Sequence, residues 1–197
     1  MSVSESESVY VSPECLQKLA GSHLGKRVGS GFFSKVYELC SSPNMCDKIV
    51  KLVPLGKDYG QYVSYQLENF ENEVLVTRLA SDLGVSPRFY DAFVCYDIGL
   101  GLLVQDRWDV TLEQFNGILP KSVGVQLENK VNSMHARGIG HDDLYPRNIV
   151  LKLDSLGIPI LVGIIDFGRA ILRNENNEQE FNRIVDQDRT DLQNILI

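Results

Sequence analysis

Between residues 138 and 153 the chain reads GIGHDDLYPRNIVLKL. Asp142 and Asp143 stand together beside His141, and Asn148 follows across Pro146. Adjacent carboxylates repel each other, and an Asn at a strand entrance builds no core. Further on, IIDFG sets Asp166 at the exit of an apolar run that Gly168 closes. Asp143, Asn148 and Asp166 are thus three oxygen-bearing side chains at strand ends. Hard divalent cations favour such ligands, and Mg²⁺ takes a few from protein and the rest from phosphate oxygens. On this reading Asn148 and Asp166 hold metal. Asp143 sits free to orient a substrate hydroxyl and accept its proton, since an ordinary carboxylate is ionised at neutral pH.

A second constellation lies upstream, in GSGFFSKVYELC. Gly29, Gly31 and Ser34 take the small positions, with Ser30 and Phe32 between them and Val36 closing the stretch. Small residues let backbone N–H groups approach phosphate oxygens with no Cβ in the way. A strand-like run follows instead of a helix, so the loop is expected to be a hairpin lid over phosphates rather than a dinucleotide fingerprint. Lys51, in KIVKLV, falls one strand, a turn and part of a further strand beyond Val36, which returns it beneath the loop to meet α- and β-phosphates. Lys48 competes for this role, but period-2 alternation turns it to the opposite face. A carboxylate that fixes Lys51 can come from Glu68, Glu71 or Glu73. Glu73 is favoured because Val76 and Ala80 continue its helical face, with Glu71 the alternative.

Several elements must position these groups. Ser12-Pro13-Glu14 opens a short helix over about 13–20. Strands are expected near 26–29, 34–40 and 46–53, then a helix over 62–82 with Leu67, Phe70, Val74 and Leu79 near one face and Gly84 as its stop. RFYDAFVCY and GLGLLVQD read as a strand pair. Residues 111–116 read as a short helix capped by Thr111. Residues 121–137 form an amphipathic helix with Val123, Leu127, Val131 and Met134 as its stripe, ending at Gly138. Strands at 149–153 and 160–165 flank a turn, and 174–197 reads as helical. The pattern is α+β in two parts.

Composition bounds the class. The chain has 197 residues, 44% hydrophobic, with a net charge of −7, enough for a core and without the basic footprint of a nucleic-acid binder. No apolar stretch is long enough for a membrane span. The Ser/Glu-rich start, residues 1–11, has no basic or apolar region of a cleaved signal and reads as a disordered leader. Cys15, Cys40, Cys46 and Cys95 form no CxxC pair, and a zinc site is not expected. Cys40 and Cys46 flank a hairpin turn and can face each other, but free buried thiols in a reducing compartment are the expectation.

In order along the chain, these residues resemble the protein-kinase superfamily. GSGFFSKV is similar to the glycine-rich loop, Lys51 to the strand-three lysine, Glu73 to its helix-C partner, HDDLYPRN to the catalytic loop, and Asp166-Phe167-Gly168 to D-F-G. The resemblance implies a two-lobed kinase-like fold, with a β-rich N-lobe over about 12–106 and a strongly truncated helical C-lobe over about 107–197. It implies ATP and Mg²⁺ as cofactors, and Gln105 and Asp106 as the start of a hinge that meets adenine through backbone groups. It offers Asp191 as an anchor for the catalytic-loop backbone, with a helix-surface charge as the equal alternative.

Asp142 stands where the family carries an Arg that pairs with an activation-loop phosphate, so switching by phosphorylation is not expected. Tyr145 stands where many Ser/Thr kinases carry Lys, with Arg147 the nearby cation. Residues 169–197 leave no room for the usual helical base. These departures look most like the HopBF-type bacterial type III effector kinases. That likeness implies secretion into a host cell, a cytoplasmic site of action and a eukaryotic heat-shock protein 90 chaperone as substrate. A monomer without nucleic-acid or membrane partners is expected. A pseudokinase scaffold and a small-molecule phosphotransferase are the alternatives.

Overall fold

The computed structural model describes residues 13–19, 21–31, 34–56 and 61–196. The expected leader, the Ser12 cap and Phe32 lie outside the described residues.

A short helix, α1 (Pro13–Lys18), precedes β1 (His23–Ser30), β2 (Lys35–Cys40) and β3 (Lys48–Pro54). Helix α2 (Gln61–Asp82), β4 (Phe89–Cys95) and β5 (Leu100–Asp106) complete the first part. The five strands form one antiparallel sheet in the order β1-β2-β3-β5-β4. Alternation along β3 and β5 makes both faces apolar. Val50, Leu52, Leu102 and Val104 pack with Cys15 and Leu19 at α1. Leu103 packs with Phe70 of α2 and with Leu55 on the other face. Gly99 at φ +58 lets the β4–β5 turn press against Gly56, whose carbonyl would collide with any Cβ there.

The second part continues with β6 (Val110–Thr111), α3 (Lys121–Ala136), β7 (Ile139–Gly140), a 3₁₀ turn (Pro146–Asn148), β8 (Ile149–Leu153), β9 (Pro159–Ile164), β10 (Ile171–Leu172) and α4 (Glu178–Leu196). The strands pair as β6-β8-β9 and β10-β7. Val123, Leu127, Val131 and Met134 of α3 are all fully buried, as their spacing predicts, against Ile149, Leu151, Val162 and Ile164. Val76 and Ala80 of α2 join this same core, so α2 bridges to both parts. No helix among the described residues is long and apolar enough to cross a membrane.

The structure corrects several expectations about the elements and the cysteines. Residues 111–116 are not a helix. Thr111 and Gln114 exchange the side-chain bonds of a helix start, each at 3.2 Å, but Thr111 is claimed by pairing with Val150 and the chain turns instead. Leu79 does not share the buried face of α2 and is 38% exposed. The terminal helix starts only at Glu178, because Asn177 holds the preceding residues in a turn, accepting from Asn174 N–H at 2.7 Å and donating to Leu172 O at 2.8 Å.

The cysteines are not free. Cys15 pairs with Cys95, bridging α1 to β4, and Cys40 pairs with Cys46 across the β2–β3 turn. Loop-closure entropy makes the longer bridge the more valuable: a sequence separation of 80 against 6. The chain-entropy relation gives about 4.5 kcal/mol against about 2.4 kcal/mol. Cys15→Ser is therefore expected to lower thermal stability more than Cys46→Ser. Melting each variant with and without reductant checks this ordering, and equal shifts would contradict it.

Candidate active site

Register builds the first half of the site. Gly29 pairs with Val36, Val36 with Lys51, and Lys51 with Leu103, one row across four strands. Directly opposed residues share a face, so Lys51 projects to the α2 side. Lys48 takes the opposite face and lies 4.5 Å over the Tyr90 ring. The hairpin closes with Gly31 N–H donating to Ser34 O at 2.9 Å, and a Cβ at Gly31 would meet Ser34 Oγ.

Lys51 Nζ donates to Glu73 Oε1 at 2.5 Å and to Asp166 Oδ1 at 2.7 Å. The Lys51 and Glu73 side chains are 13% and 7% exposed, and Asp166 is 38% exposed. Glu71 is exposed and not the partner. Burial works against the Lys51 ammonium, but Glu73 and Asp166 together outweigh it and raise its pKa above the usual lysine value. Burial likewise raises the Glu73 pKa, and Lys51 counters this only in part. Both shifts are upward, whereas a simple ion pair would raise the lysine and lower the carboxylate. One ammonium between two carboxylates explains them, because the surplus negative charge falls on the drier Glu73. Asp166 goes the other way: burial would raise its pKa, but Lys51 dominates and holds it below the usual carboxylate range.

The second half is a pair of turns joined by His141. This ring is fully buried and packs at 5.0 Å from Phe167. Burial holds its pKa below the usual histidine value, so it stays neutral. Nε2–H then donates to Ile165 O at 3.0 Å while Nδ1 accepts from Asp143 N–H at 3.3 Å. The residue before Asp166 is thereby tied to the residue after Asp142. Both turns carry left-handed backbone, Asp142 at φ +59 and Asp166 at φ +64. Non-glycine residues hold this conformation only when their surroundings impose it, and it concentrates at functional sites.

Asp143 does not sit free. Arg147 Nη2 donates to both its oxygens, at 2.8 and 3.0 Å, and Asn148 Nδ2 donates to Oδ2 at 2.8 Å. The 3₁₀ turn begun by Pro146 causes this, bringing residues four and five positions on back over the carboxylate. Three hydrogen bonds on a group with about four lone-pair sites leave Oδ1 one position for a hydroxyl. The Asn148 amide, its nitrogen spent on Asp143, turns its oxygen the other way. That oxygen and the Asp166 carboxylate are the ligand chemistry that Mg²⁺ favours, so the residues fit such an ion.

The anchor of this loop is Asp188, not Asp191. Asp188 is fully buried and accepts from His141 N–H at 2.8 Å, Asp142 N–H at 3.0 Å and His135 Nε2 at 2.9 Å. Asp191, one turn later on α4, receives Gln187 instead. Asp188→Ala would strand two buried N–H groups, and is expected to cost about 3 kcal/mol. Chemical unfolding checks this, with Asp191→Ala as the mild comparison. Asn72 was also not foreseen. It donates to Ala170 O at 2.9 Å, fixing the segment after Gly168 to α2.

The proposed hinge is less open than expected. Gln105 is buried, its amide on Ser86 and Pro87, and the N–H groups of Asp106 and Arg107 are donated to Arg88 O and Asp47 O. Any adenine contact there falls to groups other than those two donors.

Two likenesses to known proteins bear on this geometry. Residues 106–189, less than half of the chain, match the Lipopolysaccharide kinase (Kdo/WaaP) family. The chain is also 27% identical over 164 residues to an Aurora kinase of Saccharomyces cerevisiae, covering 80% of this chain and 42% of that one. It thus spans about two fifths of the length of this curated relative. Together these support a kinase-like superfamily and phosphotransfer in general, and the mixed α/β arrangement is compatible with a kinase-like fold.

Proposed function

We propose that this chain is an ATP- and Mg²⁺-dependent protein kinase that phosphorylates Ser or Thr hydroxyls. The observation that carries this reading is Lys51 held between Glu73 and Asp166, with Asp143 joined to the Asp166 turn through His141. We propose a two-lobed arrangement in which the Gly29–Ser34 hairpin covers the nucleotide and Lys51 contacts its phosphates. A bound Mg²⁺ supplies neutralisation of phosphate charge, with Asp166 and Asn148 as its protein ligands. Asp143 Oδ1 orients the acceptor hydroxyl and takes its proton. The acceptor oxygen bonds to the γ-phosphorus as the bond to the departing ADP oxygen breaks. Positioning and charge stabilisation supply the rate, so no unusual carboxylate is needed.

The finer reading, a monomeric secreted bacterial effector acting on a heat-shock protein 90 chaperone in a host cytoplasm, rests on the resemblance that Asp142 carries within HDDLYPRN. Disulfides persist in oxidising compartments, so the two cysteine pairs weigh against a reducing cytoplasm. A cytoplasmic role requires the fold to stand with both pairs open, which the melts in reductant test.

A second reading is favoured by the lipopolysaccharide-kinase match: transfer to a carbohydrate hydroxyl. γ-Labelled ATP with Mg²⁺ is offered to the chain together with eukaryotic lysate, purified heat-shock protein 90 or lipopolysaccharide. Label on a protein band at Ser or Thr is expected. Label on lipopolysaccharide alone would replace the protein-kinase reading with the second one.

A further inference from the structure

Asp142, which repels a phosphate instead of pairing with it, is not idle. Its carboxylate is 17% exposed; Oδ2 accepts from Arg169 Nη2 at 3.0 Å and Oδ1 from Arg183 Nη2 at 3.3 Å. Arg183 is fixed on its other side by Glu180, at 2.8 and 3.0 Å. Arg169 is the residue immediately after Asp166-Phe167-Gly168. Asp142 itself is clamped from behind, its N–H donated to Asp188 at the left-handed turn. A continuous run of charge therefore reaches from α4 through the catalytic loop to the segment that carries Asp166.

We propose that Asp142, Arg169 and Arg183 form a permanent electrostatic strut that holds residues 166–170 in the transfer-competent position, with no phosphate required. Asp142 is a positioning residue that acts on Asp166 through Arg169. The inference rests on the phosphotransfer reading. Three ties then define this segment: Lys51 at Asp166, Asp142 at Arg169 and Asn72 at Ala170. The Asn72 tie is neutral and the Lys51 tie is part-buried, and of the three only the middle one is an ion pair with a largely exposed guanidinium, 65% for Arg169. Exposed pairs contribute weakly and are screened by salt. The strut therefore biases a position and does not hold the fold together, and its signature is an activity that falls with salt while stability does not.

Asp142→Asn isolates the charge, because Asn tolerates the same left-handed backbone and keeps the N–H bond to Asp188. Arg169→Gln removes the other end from an exposed position. Each variant is expected to lower kcat about fivefold at low salt, the factor a single exposed pair supplies. KM for ATP should stay within about twofold, and the double variant should be no slower than either single one. Raising salt from about 0.05 to about 1 M should bring wild-type kcat down to the variants' level and leave theirs flat. If either variant keeps wild-type kcat at low salt, or if the two losses multiply, the strut is refuted while the kinase reading stands. A wild-type chain that transfers no phosphate to any acceptor overturns both.

Discussion

Asp166→Asn is expected to cut phosphoryl transfer by about 10³-fold or more while shifting the melting temperature by only a few degrees. Asn occupies left-handed backbone readily, so the φ of +64 at this position is kept. What disappears is one negative charge. Lys51 retains Glu73, and a balanced pair replaces a triad with surplus negative charge, so the buried part of the site is not left uncompensated. The reaction has no such substitute. Asp166 is the only carboxylate in the proposed ligand set, and an amide there withdraws the charge that would hold the cation on the phosphates. Transfer of γ-label by both proteins, with melting curves in parallel, checks the pair of expectations. Wild-type turnover in the Asn variant would remove Asp166 from the chemistry.

Lys51→Met is expected to cost about 3 kcal/mol of stability near neutral pH, together with loss of transfer. The substitution conserves the volume of the stem but leaves Glu73 dry and beside a second carboxylate. Burial already raises the Glu73 pKa above the usual carboxylate range even with Lys51 present. Without the ammonium it rises further, and the folded state must take up a proton that the unfolded state does not hold. The folded chain then binds more protons than the unfolded chain, so stability falls as pH rises. The deficit relative to wild type is therefore expected to be small at about pH 5 and to widen steadily to about pH 8. Denaturant unfolding at several pH values measures it, and a deficit independent of pH would contradict the account of the triad.

The groups in this triad were legible from the sequence because each lies on a regular element. Period-2 alternation in β3 separates Lys51 from Lys48, and the α-helical row Glu73, Val76, Ala80 separates Glu73 from Glu71. The buried partners bear this out: Val76 and Ala80 are fully covered and Glu73 is 6% exposed. Spacing failed where two elements compete for one residue. Thr111 and Gln114 carry the local signal of a helix start, but β8 arrives from forty residues downstream to pair with Thr111. Asp188 and Asp191 stand one turn apart on a face of α4, and only the docking of that helix against α3 and β7 decides which one meets the backbone of His141 and Asp142. The state of Asp143 was hidden for a related reason. Arg147 reaches it only because the chain folds into a 3₁₀ turn after Tyr145, and nothing in the residue types distinguishes that from a solvated arginine. Cysteine pairing across a separation of 80 belongs to the same class, since α1 meets β4 only when the sheet is complete.

The central claim is that Lys51, Asn148 and Asp166 gather around a triphosphate while Asp143 faces the incoming hydroxyl. A crystal structure with Mg²⁺ and a non-hydrolysable ATP analogue tests it most directly. The account predicts Lys51 Nζ within hydrogen-bonding distance of α- or β-phosphate oxygens and still paired with Glu73. It also predicts the ion bound by the Asp166 carboxylate and the Asn148 amide oxygen. Nucleotide bound away from the Gly29–Ser34 hairpin, with Lys51 still bridging Glu73 and Asp166 and no ion between them and the phosphates, would contradict it.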